Sequence, residues 1–319
     1  MQCKICGHEA EHSVYQVPEM MLGKRDQHRY FQCNACQCLQ ITEVPDDLAA
    51  YYPDHYYSYE PPRPAHPLKQ TLVRWRDQYA VTGKPLLGQL LHMFMPNDKL
   101  ATLKPLQLTT DARVLDVGCG AGLLLYALRE LSFANLLGID PFNPDTVRYP
   151  NGLVIEPRDI FAEQGQWDVI MFHHSFEHLS EQQATLQQAH HLLSEQGTVL
   201  LRVPTVSSYA WQHYGINWVQ LDAPRHLFLH SVASIDALAA QTGFQVEQVV
   251  YDSNAFQFWG SEQYEKDIPL RSEQSWAENR ANGLFSDKQI RQYERRAHEL
   301  NAVNQGDQAA FYLKKAPST

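Results

Sequence analysis

A glycine-rich stretch is the part of this sequence best suited to binding a small ligand. The run GCGAG over residues 118–122 follows an apolar run, residues 114–117, that contains Asp116. Glycine permits a tight turn from a strand into a helix and lets a ligand approach the backbone at the helix N-terminus. A dinucleotide pattern G-x-G-x-x-G would need glycine or alanine at Leu123, and no Gly-Lys-Ser/Thr sequence is present to form a P-loop. The Asp116 carboxylate would also repel a pyrophosphate, so the stretch favours a ligand with an ammonium group and no phosphate.

A second apolar run, residues 136–139, ends in Asp140, at about the distance from the glycine turn where a ribose-binding acid is expected. S-adenosylmethionine (SAM) is a ligand that carries a ribose and an ammonium group without a phosphate. Asp159 in EPRDIF and the run WDVIMFHHSFEHL over residues 167–179 follow in order. With these motifs the sequence resembles the class I SAM-dependent methyltransferases over residues 106–244.

The resemblance implies a cofactor site in which the glycine turn packs under the methionine part of SAM. Asp140 would bind the ribose hydroxyls, and Asp159 would face the adenine amino group with Ile160 against the ring. At Cys119 the backbone amide, rather than the thiol, is expected to face the cofactor. The alternative is a doubly wound domain whose glycine turn binds nothing. The cofactor-binding residues implied in this way are Asp116, Gly118, Cys119, Gly120, Asp140, Pro141, Asp159, Ile160 and His174.

Two cysteine pairs near the N-terminus have the spacing of a metal site. Cys3-x-x-Cys6 and Cys33-x-x-Cys36 supply four thiolates, which suit one structural Zn²⁺ in tetrahedral coordination. Disulfides are the rival interpretation, and a reducing compartment would disfavour them. Cys38 is expected to be a small buried residue. The pattern predicts a zinc ribbon whose first role is to stabilise its own fold, with contact to substrate as a second hypothesis.

The amino-acid composition argues against some classes of binding partner. The 319 residues are 44% hydrophobic and carry a formal net charge of −10, which argues against a surface that binds nucleic acid through its phosphates. No apolar run is long enough to suggest a membrane span, and MQCKICGHEAEH has no signal-peptide core. We therefore expect a cytoplasmic protein that acts on a small or carrier-linked substrate.

The order of apolar runs predicts a doubly wound α/β domain with a mostly parallel sheet, which has seven strands by the resemblance. We expect a zinc ribbon over residues 1–45, a Tyr/Pro-rich linker over 46–67 and a methyltransferase domain over 68–319. A helical insertion at about 261–308 is expected to cap one side of the active site or to form a homodimer contact. Strands are expected near residues 112–117, 135–140, 152–156, 167–173, 197–203, 244–252 and 309–316.

The tyrosines of the linker allow two interpretations. Tyr51, Tyr52, Tyr56, Tyr57 and Tyr59 fall within nine residues. They are expected to pack the ribbon onto the main domain, or to form a lid from which a hydroxyl reaches the substrate. Bacterial methyltransferases with an N-terminal zinc-binding module often carry a similar stretch, and some of them methylate nucleotide-linked sugars.

Candidate acceptor-side residues lie in two loops that follow strands, where ligands bind on open α/β sheets. Glu177 and His178 lie in the first, and His178 is one candidate for the general base. The second loop, residues 205–231, contains three histidines, two tryptophans and two tyrosines. Its Arg225 could grip a carboxylate or phosphate, and its His226 is the preferred general base. The alternative is that Asp222, Arg225 and His226 form a structural clasp that fixes the loop.

These motifs favour a SAM-dependent methyltransferase acting on a small or carrier-linked polar substrate, such as a nucleotide sugar or a surface-polysaccharide precursor. An RNA-modifying or RNA-binding protein that grips RNA with its ribbon is the first alternative. An NAD-dependent oxidoreductase is the second, and Asp116 and Leu123 argue against it.

Overall fold

The computed structural model describes residues 1–52, 59–62 and 67–317. Tyr56 and Tyr57 of the linker lie outside the described residues. None of the described helices has the length and apolarity needed to cross a membrane.

The described residues form twelve strands and nine α-helices. The strands are β1 (Ser13–Pro18), β2 (Gln27–Gln32), β3 (Leu39–Ile41), β4 (Arg113–Val117), β5 (Asn135–Ile139), β6 (Val147–Arg148), β7 (Val154–Glu156), β8 (Trp167–His173), β9 (Leu193–Pro204), β10 (Phe228–Leu229), β11 (Phe244–Tyr251) and β12 (Gln308–Lys315). The helices are α1 (Pro67–Thr82), α2 (Leu86–Phe94), α3 (Asp98–Ala101), α4 (Leu123–Glu130), α5 (Gln182–Leu192), α6 (Tyr209–Tyr214), α7 (Val232–Gln241), α8 (Phe256–Glu265) and α9 (Asp287–Ala302).

Two compact units divide the described chain. Residues 1–52, 176–183 and 202–311 form the first unit. The predicted ribbon therefore shares a unit with the loop of residues 205–231. The remaining described residues form the second unit, and the boundaries predicted at residues 45 and 67 stay predictions.

The larger sheet confirms the predicted α/β class with mostly parallel strands. Among the described residues its order is β11-β12-β9-β8-β4-β5-β7-β6. All seven predicted strands are present, and β12 lies beside β9 as expected. The sheet has eight strands rather than seven, because the two-residue β6 pairs antiparallel with β7 at one edge. A two-residue strand has no sequence periodicity that could predict it.

Register within the second unit brings the cofactor motifs to one edge of the sheet. Strand β4 pairs in parallel with β5, with Val117 opposite Ile139, and with β8 on its other side. The strands are continuous apolar runs with buried residues such as Leu115 and Ile170, as expected for a parallel sheet covered on both faces. The glycine turn after Val117 and Asp140 after Ile139 therefore begin at the same level.

The smaller sheet has the order β1-β2-β3-β10 and lies in the first unit. Strands β1 and β2 form an antiparallel hairpin, and β3 pairs antiparallel with β2. Cys3 and Cys6 precede the hairpin, while Cys33 and Cys36 lie between β2 and β3. This arrangement is consistent with the predicted zinc ribbon. Its fourth strand, β10, comes from the loop of residues 205–231 and was not predicted.

The segment between β11 and β12 contains the two helices α8 and α9, and its helical part starts earlier than the insertion predicted at about residues 261–308. Helix α8 begins at Phe256 rather than near residue 261. Helix α9 begins after Ser286, whose side chain forms a capping box with Gln289.

Candidate functional site

The turn after β4 can be made only with glycine at its first position. Gly118 has φ +72°, and a Cβ built there would lie 2.5 Å from the Cβ of Ser175. The Ser175 hydroxyl in turn donates a hydrogen bond of 2.6 Å to the Val117 carbonyl. The loop after β8 is therefore tied directly to the end of β4, where the glycine turn begins.

Asp140 organises this turn through its carboxylate. Its Oδ2 accepts a hydrogen bond of 2.8 Å from the Gly120 amide, and its Oδ1 accepts one of 3.0 Å from the Phe142 amide. The Tyr59 hydroxyl lies 3.4 Å from the same Oδ1. A carboxylate offers about four lone-pair positions, so Asp140 retains capacity for a further donor such as a ribose hydroxyl. Tyr59 thus contacts the predicted ribose-binding residue, which the linker's sequence could not specify.

Asp116 is a buried acid with an unused acceptor. Its side chain is 3% exposed, and its Oδ1 has no hydrogen-bond partner among the described residues. Burial, together with the nearby charge of Asp140, raises the pKa of Asp116 well above its usual range. A cationic donor at this position would satisfy the oxygen and favour the ionised carboxylate. These features fit a ligand with an ammonium group, as SAM has.

The other predicted cofactor residues differ in burial and in their local contacts. Asp159 caps a short 3₁₀ turn, where its Oδ1 accepts from the Phe161 amide at 3.0 Å and the Ala162 amide at 3.1 Å. Ile160 is buried, whereas Pro141 is exposed and His174 is half-buried. Burial, followed by the charges of Asp116 and Asp140, raises the pKa of the Cys119 thiol, so the thiol stays neutral.

Three residues near the cofactor motifs were missed by the sequence interpretation. The Asn143 side-chain amide donates a hydrogen bond of 3.0 Å to the Gly120 carbonyl. Phe142 and Phe161, which follow the predicted ribose and adenine acids closely, expose 81% and 51% of their surface. An exposed phenylalanine beside each acid is the signal that could have marked them as ring-contacting candidates.

The four N-terminal cysteines converge as a metal site requires. The Sγ atoms of Cys3 and Cys36 are 3.6 Å apart, as are those of Cys6 and Cys33, and all four lie within 4.8 Å of one another. A tetrahedral zinc with Zn–S bonds of about 2.3 Å requires sulfur separations of about 3.8 Å. The Gln40 side chain donates to Cys3 Sγ at 3.1 Å, a contact of the kind that orients a thiolate ligand. None of the six cysteines, all of which are described, forms a disulfide.

A cluster of titratable side chains in the first unit contains both histidines that were predicted as bases. Ligand atoms of Glu177, His178 and His226 lie within 4.8 Å of one another. The ring centroids of the two histidines are 4.8 Å apart. His226 Nε2 lies 3.9 Å from Glu177 Oε1 and 3.8 Å from Asp222 Oδ2. Two carboxylates therefore lie near the Nε2 atom of His226.

Backbone carbonyls select the tautomer of each histidine. His226 Nδ1 lies 2.8 Å from the Gln220 carbonyl, and His178 Nδ1 lies 2.8 Å from the Arg225 carbonyl. A carbonyl oxygen only accepts, so each Nδ1 carries a hydrogen, and in the neutral form of each ring the lone pair lies on Nε2. Burial, and then the positive charge that His226 carries when it is protonated, lowers the pKa of His178, which keeps the His178 ring neutral near pH 7.

Arg225 is surrounded by protein groups. Its side chain is 0% exposed and pairs with Glu19 at 3.3 Å and with Asp222. It also donates a hydrogen bond of 2.9 Å to the Tyr51 carbonyl. Burial opposes ionisation of Asp222, but Arg225 outweighs it and lowers the pKa of that carboxyl. These contacts favour the clasp alternative for Arg225 over a direct grip on a substrate anion.

His230, near the end of the same loop, makes stability depend on pH. Its ring is fully buried between Ser234 Oγ and Gln182 Oε1, each 2.9 Å from a ring nitrogen. Burial lowers the pKa of His230 to about 4, although Glu177 opposes the change. Between pH 6.5 and 4 the His230 ring is protonated in the unfolded chain but neutral in the folded protein. The contribution of His230 to the free energy of unfolding is therefore complete above pH 6.5 and is lost as the pH falls toward 4. The loss should be about 3 kcal/mol.

Urea unfolding between pH 7 and 4 measures this effect. The variant His230→Gln should show a weaker loss of unfolding free energy with acid than the wild type. The exposed His191→Gln should follow the wild type. Equal pH dependence in His230→Gln and the wild type would exclude His230 as the source.

A comparison with known protein families finds a match. Residues 91–249 match the model of a methyltransferase domain. This methyltransferase domain covers the glycine turn, Asp140, Asp159 and the cluster at His226. The match gives no support to the NAD-dependent or RNA-binding alternatives. A comparison with curated proteins finds no match.

Several solved structures are similar to the chain. A SAM-dependent methyltransferase from Archaeoglobus fulgidus is 18% identical over 71% of this chain and 98% of its own, with a TM-score of 0.42. An O-methyltransferase of a Brevibacillus brevis polyketide synthase, in complex with S-adenosylhomocysteine, is 17% identical over 76% and 80%, with a TM-score of 0.43. The cyclopropane synthase MmaA2 from Mycobacterium tuberculosis is 16% identical over 65% and 79%, with a TM-score of 0.41. Because these TM-scores are low, the fold class is assigned from the strand order of this chain and not from the similar structures.

Proposed function

We propose that the protein is a SAM-dependent methyltransferase that acts on a small or carrier-linked polar substrate. The observation that carries the proposal is the pair of acids within the matched methyltransferase domain. Asp140 holds the glycine turn, and the buried Asp116 has an oxygen without a partner among the described residues. This combination suits a ribose and an ammonium group and is unfavourable for a pyrophosphate.

The chain's own residues would hold the cofactor through complementary charge and shape. When bound, SAM supplies an electrophilic methyl group on a positively charged sulfur. Asp116 would accept from the ammonium group and Asp140 from the ribose hydroxyls. Asp159 retains a second carboxylate oxygen for the adenine amino group, while Phe142 and Phe161 supply exposed rings. Exclusion of water and alignment of the acceptor with the methyl group would supply much of the rate.

His226 is the proposed general base for an acceptor that loses a proton. Its Nδ1–H is held by the Gln220 carbonyl, which leaves the Nε2 lone pair to take the proton. Glu177 and Asp222, at 3.9 and 3.8 Å, would stabilise the imidazolium that forms. His178 has the same tautomer and is the second candidate. The resemblance noted above makes nucleotide-linked sugars and surface-polysaccharide precursors the first acceptors to test.

The cysteine cluster is proposed to hold one structural zinc ion. Four thiolates close the coordination sphere, so no position is open for a catalytic water. The proposed ion would stabilise the ribbon, because a three-stranded segment of this size has little core of its own.

Calorimetric titration with S-adenosylhomocysteine tests the cofactor assignment. Asp140→Ala should weaken binding by roughly 10- to 100-fold, because it removes charge-assisted hydrogen bonds and the contact that holds the Gly120 amide. The matched control is Asp145→Ala, which removes an exposed carboxylate from the same loop and should leave the affinity within about twofold. Absence of binding to the wild type, or equal affinity in Asp140→Ala, would contradict the proposal.

A further inference from the structure

The ribbon and the segment that carries His226 share one sheet in the first unit. Strand β10 pairs antiparallel with β3, with Phe228 opposite Gln40 and Leu229 opposite Leu39. The Ile41 amide adds a hydrogen bond of 3.0 Å to the Leu227 carbonyl. The pairing joins residues about 190 positions apart in the sequence. Strand β10 covers the edge of the ribbon that β3 would otherwise leave unpaired.

Two side-chain contacts fix the ends of this segment. The Tyr30 hydroxyl, on β2 of the ribbon, donates a hydrogen bond of 2.8 Å to the carbonyl of His226 itself. At the other end, the Ser231 hydroxyl donates to the carbonyl of Cys36, one of the proposed zinc ligands. The backbone of residues 226–231 is therefore held at both ends by the ribbon.

The Tyr30 side chain reaches the His226 carbonyl from within the core of the first unit. Its side chain is 0% exposed. Burial, followed by the charge of Asp222, raises the pKa of Tyr30 well above its usual range, so the phenol remains a donor. A buried phenol whose hydroxyl reaches a backbone carbonyl fixes that peptide's orientation, and the loss of one partner leaves the carbonyl unsatisfied.

We propose that the ribbon is the support that orients His226, and that Tyr30 is the positioning residue through which it acts. Tyr30 fixes the peptide after His226, and the Leu227 amide is held in turn by the Glu177 carbonyl at 2.9 Å. With both sides of that peptide held, the ring keeps its Nδ1 on the Gln220 carbonyl and its Nε2 toward Glu177 and Asp222. His178 faces the same ring from the first loop.

This inference rests on the proposed function for its catalytic meaning, and its structural part can be measured without a substrate. Spectra of protein labelled with ¹⁵N-histidine report which ring nitrogen carries hydrogen. The wild type should show His226 as the single Nδ1–H tautomer, with the signal assigned by its loss in His226→Asn. Tyr30→Phe should show a mixture of the two tautomers. Methyl transfer is measured with an acceptor that is active in a panel of nucleotide-linked sugars. The rate of Tyr30→Phe should be about tenfold or more below that of the wild type, while its affinity for S-adenosylhomocysteine stays within about twofold.

Phe31→Leu is the matched control for a loss of ribbon stability. Phe31 neighbours Tyr30 on β2, is 4% exposed, and stacks on His12 at 5.1 Å. Its side chain projects from the opposite face of the strand. This variant should lower the melting temperature but keep the wild-type tautomer of His226. If Tyr30→Phe also lowers only the melting temperature, with the tautomer unchanged, the positioning role is overturned. A wild type that binds no S-adenosylhomocysteine would instead refute the proposed function and leave the tautomer result standing.

Discussion

Replacing His226 with asparagine should lower the rate of methyl transfer by about two to four orders of magnitude, the usual contribution of a general base. The asparagine amide can still donate to the Gln220 carbonyl, which now accepts from His226 Nδ1 at 2.8 Å. The variant therefore keeps the local hydrogen bond and loses only the Nε2 lone pair. Release of S-adenosylhomocysteine, measured with a panel of nucleotide-linked sugars as acceptors, gives the rate.

His213→Asn is the control for the histidine content of the same loop. His213 is exposed and its ring stacks on Tyr209 with centroids 5.0 Å apart, so its loss should leave the rate within about twofold. Cofactor affinity should be unchanged in both variants, because the predicted cofactor contacts are Asp116, Asp140 and Asp159. If His226→Asn keeps full turnover, His226 is not the base, and the same measurement on His178→Asn becomes decisive.

Replacing Cys33 with serine should release the metal and unfold the ribbon. Cys33 is 0% exposed and its Sγ lies 3.6 Å from that of Cys6. Zinc ligation by four thiolates contributes on the order of 10 kcal/mol to a small module, which is comparable with the stability of a whole domain. Elemental analysis of freshly purified protein should give one zinc per chain for the wild type and much less for Cys33→Ser. Thermal unfolding should begin at lower temperature in the variant.

Cys38→Ala provides the control for cysteine loss in the same loop. Cys38 is also fully buried, but it lies outside the group of four converging sulfurs. We expect this variant to keep one zinc per chain. A wild type that is folded and free of metal would refute the zinc assignment. Because β10 pairs with β3, unfolding of the ribbon should also release Phe228 and Leu229 from their strand, which hydrogen exchange can follow.

Much of the fold could be predicted from the sequence because its signals are local. Continuous apolar runs that end in Asp140 or in the glycine turn identify buried parallel strands and the ends at which ligands bind. The cysteine spacing likewise predicts the four sulfurs that converge. The edge strand β6 escaped prediction because two residues have no periodicity. The helical insertion expected at about residues 261–308 begins earlier, because α8 starts at Phe256 and a sequence pattern does not fix the exact ends of an element.

The role of Arg225 in the loop of residues 205–231 could not be predicted from the local sequence. The residue types of this loop suggested either a substrate grip or a clasp, and the choice depends on partners far away in the chain. Arg225 pairs with Glu19, 206 positions earlier. The His226 carbonyl accepts a hydrogen bond from the hydroxyl of Tyr30, 196 positions earlier. A buried guanidinium needs several acceptors, and no short-range pattern indicates which distant segment will supply them.

The sequence by itself determined the mostly parallel sheet and predicted the ligand type and the metal chemistry, because glycine geometry, charge sign and cysteine spacing act within a few residues. Only the tertiary structure decided three contacts. Tyr59 lies against Asp140, Arg225 is buried between Glu19 and Asp222, and β10 pairs with β3 of the ribbon. Each of these depends on a hydrogen bond or ion pair between segments far apart in the chain. Such contacts form only when burial brings the segments together and excludes water from their polar groups.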